Sequence, residues 1–223
     1  MRKVASPVKF VNSAIIEHMK DVGTSIPAHI LAFDPQNQTA QIQIAIVRID
    51  IDGNEYNLPP VIECPVYFAG GSDFFVEHEV NPQDECLAVF SQRCIDGWLN
   101  TGGIAQQPIV RFHDINDACV FVGIRSEPNA IQNHANDGIR LRNKSGSDYI
   151  WLKKDGSIDI KSTANVTING VTITPSGAVQ MPQTLDVSGA VTGGSGKFDG
   201  VTVETHTHGG VLAGGASTGE PNK

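Results

Sequence analysis

The histidine pair His206 and His208, in the stretch THTHGG (205–210), has the residue type and the spacing to bind a metal ion. Residues two apart on a β-strand face the same side, so both imidazoles are directed together. One chain supplies too few ligands for a tight site. Three chains around an axis supply six nitrogens, an octahedral set that suits iron, with nickel or cobalt as imitators, whereas zinc prefers four ligands. The alternative is an incidental surface pair, so the metal site depends on trimer formation.

A second set of residues has the types that nucleophilic catalysis needs. Cys94, Asp96, His113 and Asp114 offer a thiol, an imidazole and two carboxylates. Their spacing matches no signature of a serine hydrolase or a cysteine protease. The simpler interpretation is a buried thiol at Cys94 and a hydrogen-bonded structural residue at His113. We therefore expect that the protein is not an enzyme.

Charge is distributed unevenly along the 223 residues, whose net charge is −8. Residues 1–136 contain 8 Lys and Arg against 16 Asp and Glu, a net of −8, and residues 137–223 contain 8 of each, a net of zero. The sequence has no basic tract of the kind that binds phosphate backbones. The chain thus consists of an acidic first part and a neutral second part, and we expect no nucleic-acid partner.

All four cysteines, Cys64, Cys86, Cys94 and Cys119, lie in the first part and are too widely spaced for CxxC chemistry. They are predicted to be reduced and buried, with a structural disulfide as the alternative. The first ten residues lack the apolar core of a signal peptide, and no apolar run reaches the ~20 residues that span a bilayer. We expect synthesis in the cytoplasm.

The first part is predicted to form one short helix and then five strands. Residues 12–22 repeat apolar side chains on one helical face and are followed by Gly23. The strand candidates are rich in β-branched and aromatic residues and are separated by Asp-, Asn- and Gly-containing turns. They are residues 29–33, 41–49, 61–68, 86–91 and 118–124. Five short strands of this kind favour a small barrel of the OB type.

The second part alternates apolar and polar residues from Gly156 onward. Ile158, Ile160, Val166 and Ile168 share one face, and the pattern continues in shorter bursts after Asn169-Gly170. A ribbon with one narrow apolar stripe and no covering layer would expose open edges. We therefore predict that three copies wind around a common axis with their stripes inward. The alternatives are a single-chain β-solenoid and a disordered tail.

These features resemble the central spike protein of contractile-tailed bacteriophages, of the baseplate assembly protein V type. The Ile95-Asp96-x-Trp98 and His113-Asp114 residues match as domain signatures and not as a catalytic site, and THTHGG matches the His-x-His apex. In the first part the resemblance is carried by SIPAHILAFDPQNQTAQIQIAIV (25–47), LPPVIECPVYF (58–68), FSQRCIDGWLNTGG (90–103) and RFHDINDACVFVGI (111–124).

The resemblance implies an all-β homotrimer, in which an N-terminal OB-fold barrel is followed by an intertwined trimeric β-helix or β-prism spike. It implies one Fe ion per trimer, bound by His206 and His208 of the three chains. The expected divisions are a helical segment (1–24), an OB collar (25–125), a linker (126–138), a shaft (139–203) and a metal-binding apex with a C-terminal return (204–223).

The resemblance also implies a function: a structural virion protein at the tail baseplate, below a hub protein and the tail tube. On sheath contraction such a spike pierces the outer membrane of a Gram-negative host. The alternative is a trimeric receptor-binding tail fibre or a lectin-like tip protein. Binding tips usually expose aromatic or polar recognition residues, and this chain has no Phe, Trp or Tyr after Phe198.

Overall fold

The computed structural model describes residues 6–205, 207, 210 and 214, and strands predominate among them. The chain divides into two compact units, Met1–Gln132 and Asn133–Lys223, which are called the N-terminal and the C-terminal unit below. The division lies within residues 126–138, the stretch expected to be a linker. The predicted all-β class is confirmed.

The N-terminal unit begins with helix α1 (Pro7–Asp21), which starts five residues earlier than the apolar pattern predicted. Proline suits the first turn of a helix because its fixed φ is already helical. The apolar stripe of α1 is exposed: Val8, Val11, Ile15 and Met19 retain 53–67 % of their accessible surface. Among the described residues, no helix is both long enough and apolar enough to cross a membrane.

A five-stranded antiparallel sheet forms the core of the N-terminal unit. Its strands are β1 (Ser25–Asp34), β2 (Thr39–Ile44), β5 (Val61–Pro65), β6 (Glu85–Phe90) and β7 (Ala118–Val122), in the spatial order β5-β2-β1-β6-β7. A small separate hairpin pairs β3 (Arg48–Ile49) with β4 (Glu55–Tyr56). All five predicted strand regions are therefore present, although the predicted strand 41–49 is divided between β2 and β3.

The sheet is curled, so that its two outer strands, β5 and β7, approach each other. Val66, just after β5, forms a parallel bridge with Val120 of β7, and the Tyr67 N–H donates to the Val120 carbonyl at 2.8 Å. Irregular pairing between Ile30 and Ala32 adds bend to β1. Alternate side chains of the strands point inward, and Ile30, Ile42 and Val120 are fully buried at the centre. A second short helix, α2 (Asp96–Thr101), precedes β7.

The C-terminal unit consists of three small groups of antiparallel strands. The first contains β8 (Gly138–Arg142), β9 (Tyr149–Lys153) and β10 (Ile158–Lys161). The second contains β11 (Val166–Ile168), β12 (Val171–Ile173) and β13 (Val179–Gln180), and the third contains β14 (Lys197–Phe198) and β15 (Val201–Thr202). In each group, strands pair with their nearest neighbours in the sequence.

Two-residue hairpin turns explain why the sequence alternation changes phase. Asn169 and Gly170 have φ values of 47° and 88° and connect β11 to β12. Asp199 and Gly200 have φ values of 47° and 82° and connect β14 to β15. Positive φ at both central residues is the type I′ geometry, which matches the twist of the flanking strands. The expected continuous ribbon is therefore folded back on itself at these positions.

Candidate functional site

One face of the β8–β10 sheet is made entirely of aliphatic side chains. Antiparallel pairing places them in two cross-strand rows. The rows are Ile139–Leu152–Ile158 and Leu141–Ile150–Ile160, and these six side chains remain 43–70 % exposed within the chain. Exposed contiguous apolar surface of this kind marks an interaction surface. We call these six residues the apolar face.

The opposite face of the same sheet contains charged and aromatic side chains that contact one another. Arg140 lies 5.0 Å from the centre of the Trp151 ring and 5.7 Å from that of Tyr149. Lys153 lies 4.9 Å from the Trp151 ring centre and forms an ion pair with Asp159. The hydrogen bond to Asp159 raises the pKa of Lys153. This polar face is thus stabilised by contacts within one chain, in contrast to the apolar face.

The later strand groups repeat the division into an apolar and a polar side. Cross-strand pairs join Val166 to Ile173 and Ile173 to Val179, while Thr167 pairs with Thr172 on the other side. Ile168, Ile173 and Val179 are 53 %, 37 % and 59 % exposed. In the third group, Phe198 pairs with Val201, and they are 72 % and 51 % exposed. The apolar stripe predicted from the sequence is therefore uncovered along the described part of the C-terminal unit.

The candidate metal ligands follow strand β15. His206 and His208 lie outside the described residues, so the metal site remains a prediction. The nearest preceding acidic residue, Glu204, is directed back toward the start of β14. Its carboxylate accepts a hydrogen bond from the Gly196 N–H at 2.7 Å and one from the Ser195 hydroxyl at 3.4 Å. Glu204 therefore fixes the segment that leads to the histidines.

A partly buried ionic cluster in the N-terminal unit brings together Arg111, Asp117, Asp96 and Cys94. Arg111 Nε and Nη2 donate to the two Asp117 carboxylate oxygens at 3.0 and 2.8 Å. Arg111 Nη2 also lies 3.1 Å from both Asp96 oxygens and 3.2 Å from Cys94 Sγ. Asp117 is fully buried, and its Oδ1 also accepts from the Ile95 N–H at 3.0 Å.

The cluster has the donor types of a metal site, because ligand atoms of Cys94, Asp96 and Asp117 lie within 4.8 Å of one another. Arg111 Nη2 already contacts all three of these side chains and supplies one positive charge to the two carboxylates. The hydrogen bond from Arg111 to Asp117 is also the largest influence that raises the pKa of Arg111. The arrangement is therefore an ion pair around a buried carboxylate, and the quoted segments 90–103 and 111–124 meet there.

The residues considered for nucleophilic catalysis do not form one site. Cys94 and Asp96 contact Arg111, whereas His113 and Asp114 bond to other residues. The ring Nδ1–H of His113 donates to the Gly23 carbonyl at 3.1 Å, and the Gly23 N–H donates to the His113 carbonyl at 3.0 Å. Asp114 Oδ1 accepts from the backbone and side chain of Asn116 at 2.9 and 2.7 Å. The structural interpretation of His113 is thus supported. These reciprocal bonds attach the chain after α1 to the loop before β7.

The four cysteines are free thiols, and Cys64, Cys86 and Cys94 are buried. Burial raises the pKa of Cys64 to about 12 and that of Cys86 to about 11. A thiol must ionise to act as a nucleophile or to exchange with a disulfide. Cys64 and Cys86 therefore behave as core side chains.

Sequence reasoning missed the partnership of Arg111 and Asp117, although both lie in the signature stretch 111–124. The available signal was Asp117 directly before the apolar run ACVFVGI (118–124), since a carboxylate at the start of a buried strand needs a partner. Reasoning from the sequence also missed Glu85, whose carboxylate binds Ser126 and Asn129. No local pattern connects residues so far apart in the chain.

Comparison with known protein families agrees with this architecture. Residues 26–123 match the family model of the phage protein Gp138 N-terminal domain, which covers the curled five-stranded sheet and the Arg111 cluster. Residues 200–222 match the GpV apex motif, which covers β15, Glu204 and both candidate metal ligands. No curated protein shows a match to the chain. The chain thus contains a Gp138-type N-terminal domain and a GpV-type apex motif, and both of these belong to families of phage baseplate central spike proteins.

Proposed function

We propose that three copies of this baseplate spike protein assemble around a common axis and pierce the outer membrane of a Gram-negative host when the tail contracts. The observation that carries the proposal is the apolar face of β8–β10. Its six aliphatic side chains are about half exposed, and burying them would stabilise each chain by on the order of 5 kcal/mol. Identical copies offer one another the same uncharged surface, as is usual in homo-oligomers.

The polar face supports a trimer in which the apolar face of the β8–β10 sheet is turned toward the axis. Arg140, Trp151, Lys153 and Asp159 already contact each other within the chain. Turning that face outward leaves these contacts intact, while turning the apolar face inward removes it from water. The same orientation buries the stripe that begins at Val166 and continues through Val179.

The three chain ends are proposed to share one iron ion. His206 and His208 of each chain would hold it through imidazole nitrogens, which are suitable ligands for this metal. The match of residues 200–222 to the GpV apex motif supports this assignment. A bound ion would link the three ends where they would otherwise separate.

A mechanical function is supported by the composition of the second part. Between residues 162 and 219, the only charged residues are Asp186, Lys197, Asp199 and Glu204, and the only aromatic residue is Phe198. A segment with so few charged and bulky side chains can pack into a slender rod. The curled sheet at 26–123 is proposed as the OB-type collar that contacts the hub protein and the tail tube.

Light scattering tests the assembly directly. The purified chain is expected at about 71 kDa, which is 3 × 23.8 kDa. Ile160→Glu places a charge on the apolar face and is expected to give a monomer or an aggregate. Lys161→Glu, on the neighbouring residue of the opposite face, is the matched control and is expected to remain trimeric. A wild-type mass of 23.8 kDa would contradict the proposal.

Elemental analysis and infection assays test the apex and the piercing step. We expect about one iron per three chains, and loss of that iron in the double variant His206→Ala, His208→Ala while the trimer persists. Phage carrying the double variant should adsorb and contract normally but permeabilise the outer membrane less often. Saturable binding of the isolated protein to whole cells or to purified polysaccharide would instead favour a receptor-binding fibre.

A further inference from the structure

The side chain of Glu85 fastens the stretch expected to be a linker to the five-stranded sheet. Glu85 begins β6, and its Oε2 accepts from the Ser126 N–H at 2.8 Å. Its Oε1 accepts from the Ser126 hydroxyl and from Asn129 Nδ2, the latter at 2.9 Å. The Glu85 carbonyl also accepts from the Gly123 N–H at 3.1 Å. One residue thus binds the chain on both sides of Arg125.

A short 3₁₀ turn, Glu127–Asn129, stiffens the fastened stretch. The Asn129 N–H donates to the Ser126 carbonyl at 3.0 Å, and the Ala130 N–H donates to the Glu127 carbonyl at 3.2 Å. Pro128 lies within the turn, where its fixed φ is compatible with this conformation. The turn presents the Asn129 side chain to Glu85.

In the C-terminal unit, two arginine side chains bind the backbone of Asn133. Its carbonyl accepts from Arg140 Nη2 at 3.0 Å and from Arg142 Nη1 at 3.3 Å. Asn133 has a φ of 54°, a left-handed conformation that asparagine tolerates better than most residues. Because the Arg140 guanidinium also lies against Trp151, the anchorage is attached to the polar face of the β8–β10 sheet.

We propose that residues 126–133 form a double clasp, held by Glu85 at one end and by Arg140 and Arg142 at the other, which keeps the connection between the units short under load. Three residues, 130–132, separate Asn129 from Asn133, a reach of about 14 Å at full extension. An unfastened stretch of the thirteen residues 126–138 would reach roughly 45 Å. The clasp therefore shortens the length of free chain between Asn129 and Asn133.

Hydrogen exchange at the Ser126 amide tests the Glu85 end in the full chain. Glu85→Ala removes the acceptor of that amide, and we expect exchange to become at least about tenfold faster, because the local opening no longer has to break these bonds. Trypsin cleavage after Arg125 should accelerate in parallel. Glu127→Ala also removes one carboxylate, from the turn that Glu85 holds, so it is the matched control and should stay within about twofold of wild type.

The proposal is overturned if folded Glu85→Ala, with a wild-type melting temperature, shows wild-type exchange at Ser126. Should this variant fail to fold, Asn129→Ala removes a single donor and must raise the exchange rate by about threefold. Stretching single full-length molecules from both ends tests the mechanical statement itself. Glu85→Ala should add an early low-force extension of at most about 14 Å, the contour length of residues 126–129, and identical traces for variant and wild type would contradict the clasp.

Discussion

Arg111 and Asp117 form a two-point ion pair, with Arg111 Nε and Nη2 at 3.0 and 2.8 Å from opposite oxygens of a fully buried carboxylate. Removing one member of such a pair leaves the other charge without its partner in a poorly solvated place. We expect Asp117→Ala to lower the free energy of unfolding of the N-terminal unit by about 3 kcal/mol, measured by chemical denaturation of the full chain.

Two further variants make this prediction specific. Asp114→Asn, in the same loop, keeps an oxygen for Asn116 and should change the free energy of unfolding by no more than about 0.5 kcal/mol. The double variant Arg111→Met, Asp117→Leu removes both charges and should be more stable than Asp117→Ala alone. If Asp117→Ala unfolds like wild type, the ion pair does not stabilise the fold.

Gly23 is predicted to be intolerant of a side chain. A Cβ at this position would lie 2.6 Å from the His113 carbonyl oxygen and 3.0 Å from the Phe90 ring. Gly23→Ala should therefore weaken the reciprocal hydrogen bonds with His113 and cost about 1–3 kcal/mol, measured by thermal and chemical unfolding. Gly71→Ala is the control, because a Cβ there meets nothing within 4 Å. Equal stability of the two variants would contradict this close approach.

Cys64 and Cys86 are expected to resist thiol reagents in the native protein. With pKa values raised by burial to about 12 and about 11, both side chains are almost wholly protonated at pH 8. A disulfide reagent followed by peptide mapping should label them only at the rate of unfolding, and denaturant should expose all four thiols. Rapid labelling of Cys64 in folded protein would show that the core opens locally.

The protection of the Ser126 amide should depend on pH in the acid range. Hydrogen bonds from Ser126 and then Asn129 lower the pKa of Glu85 to about 2, from about 4.3 in an unfolded chain. His29 faces Glu85 across the β1–β6 pair and favours the ionised carboxylate further.

Because the folded pKa is the lower one, the carboxylate contributes fully above pH 4.3 and its contribution is lost as the pH falls toward 2. Exchange at Ser126, normalised to an unfolded peptide, should remain protected at pH 5 and lose protection between pH 4 and pH 2. Loss of protection that already begins near pH 6 would contradict the assignment to Glu85.

The sequence predicted the strands of the N-terminal unit because each has its own strong local pattern. Inward side chains such as Ile42 and Val120 alternate with outward ones, and this periodicity requires no knowledge of the partner strand. The start of α1 was predicted too late, since Pro7 and Val8 precede the clearest apolar repeat. Contacts between residues far apart in the sequence, such as Arg111 with Asp96 or Glu85 with Ser126, depend on how the sheet closes. No local sequence pattern indicates them.

In the C-terminal unit the sequence predicted the apolar stripe but not the path of the chain. The dipeptides Asn169-Gly170 and Asp199-Gly200 are strong short-range hairpin signals. The first was interpreted only as a change of phase in a ribbon, and the second was overlooked. The stripe itself is present and uncovered. His206 and His208 lie outside the described residues, so their assignment as metal ligands still depends on spacing, on the apex match and on the proposed trimer.

The tight turns at Asn169-Gly170 and Asp199-Gly200 have a consequence for how the C-terminal unit folds. Strands joined by two residues find each other within microseconds, without a distant partner. Each nascent chain can therefore form these hairpins during synthesis, before it meets a second copy. Assembly of the proposed trimer would then be limited by the encounter of chains whose hairpins have already formed, so we expect its rate to depend on chain concentration.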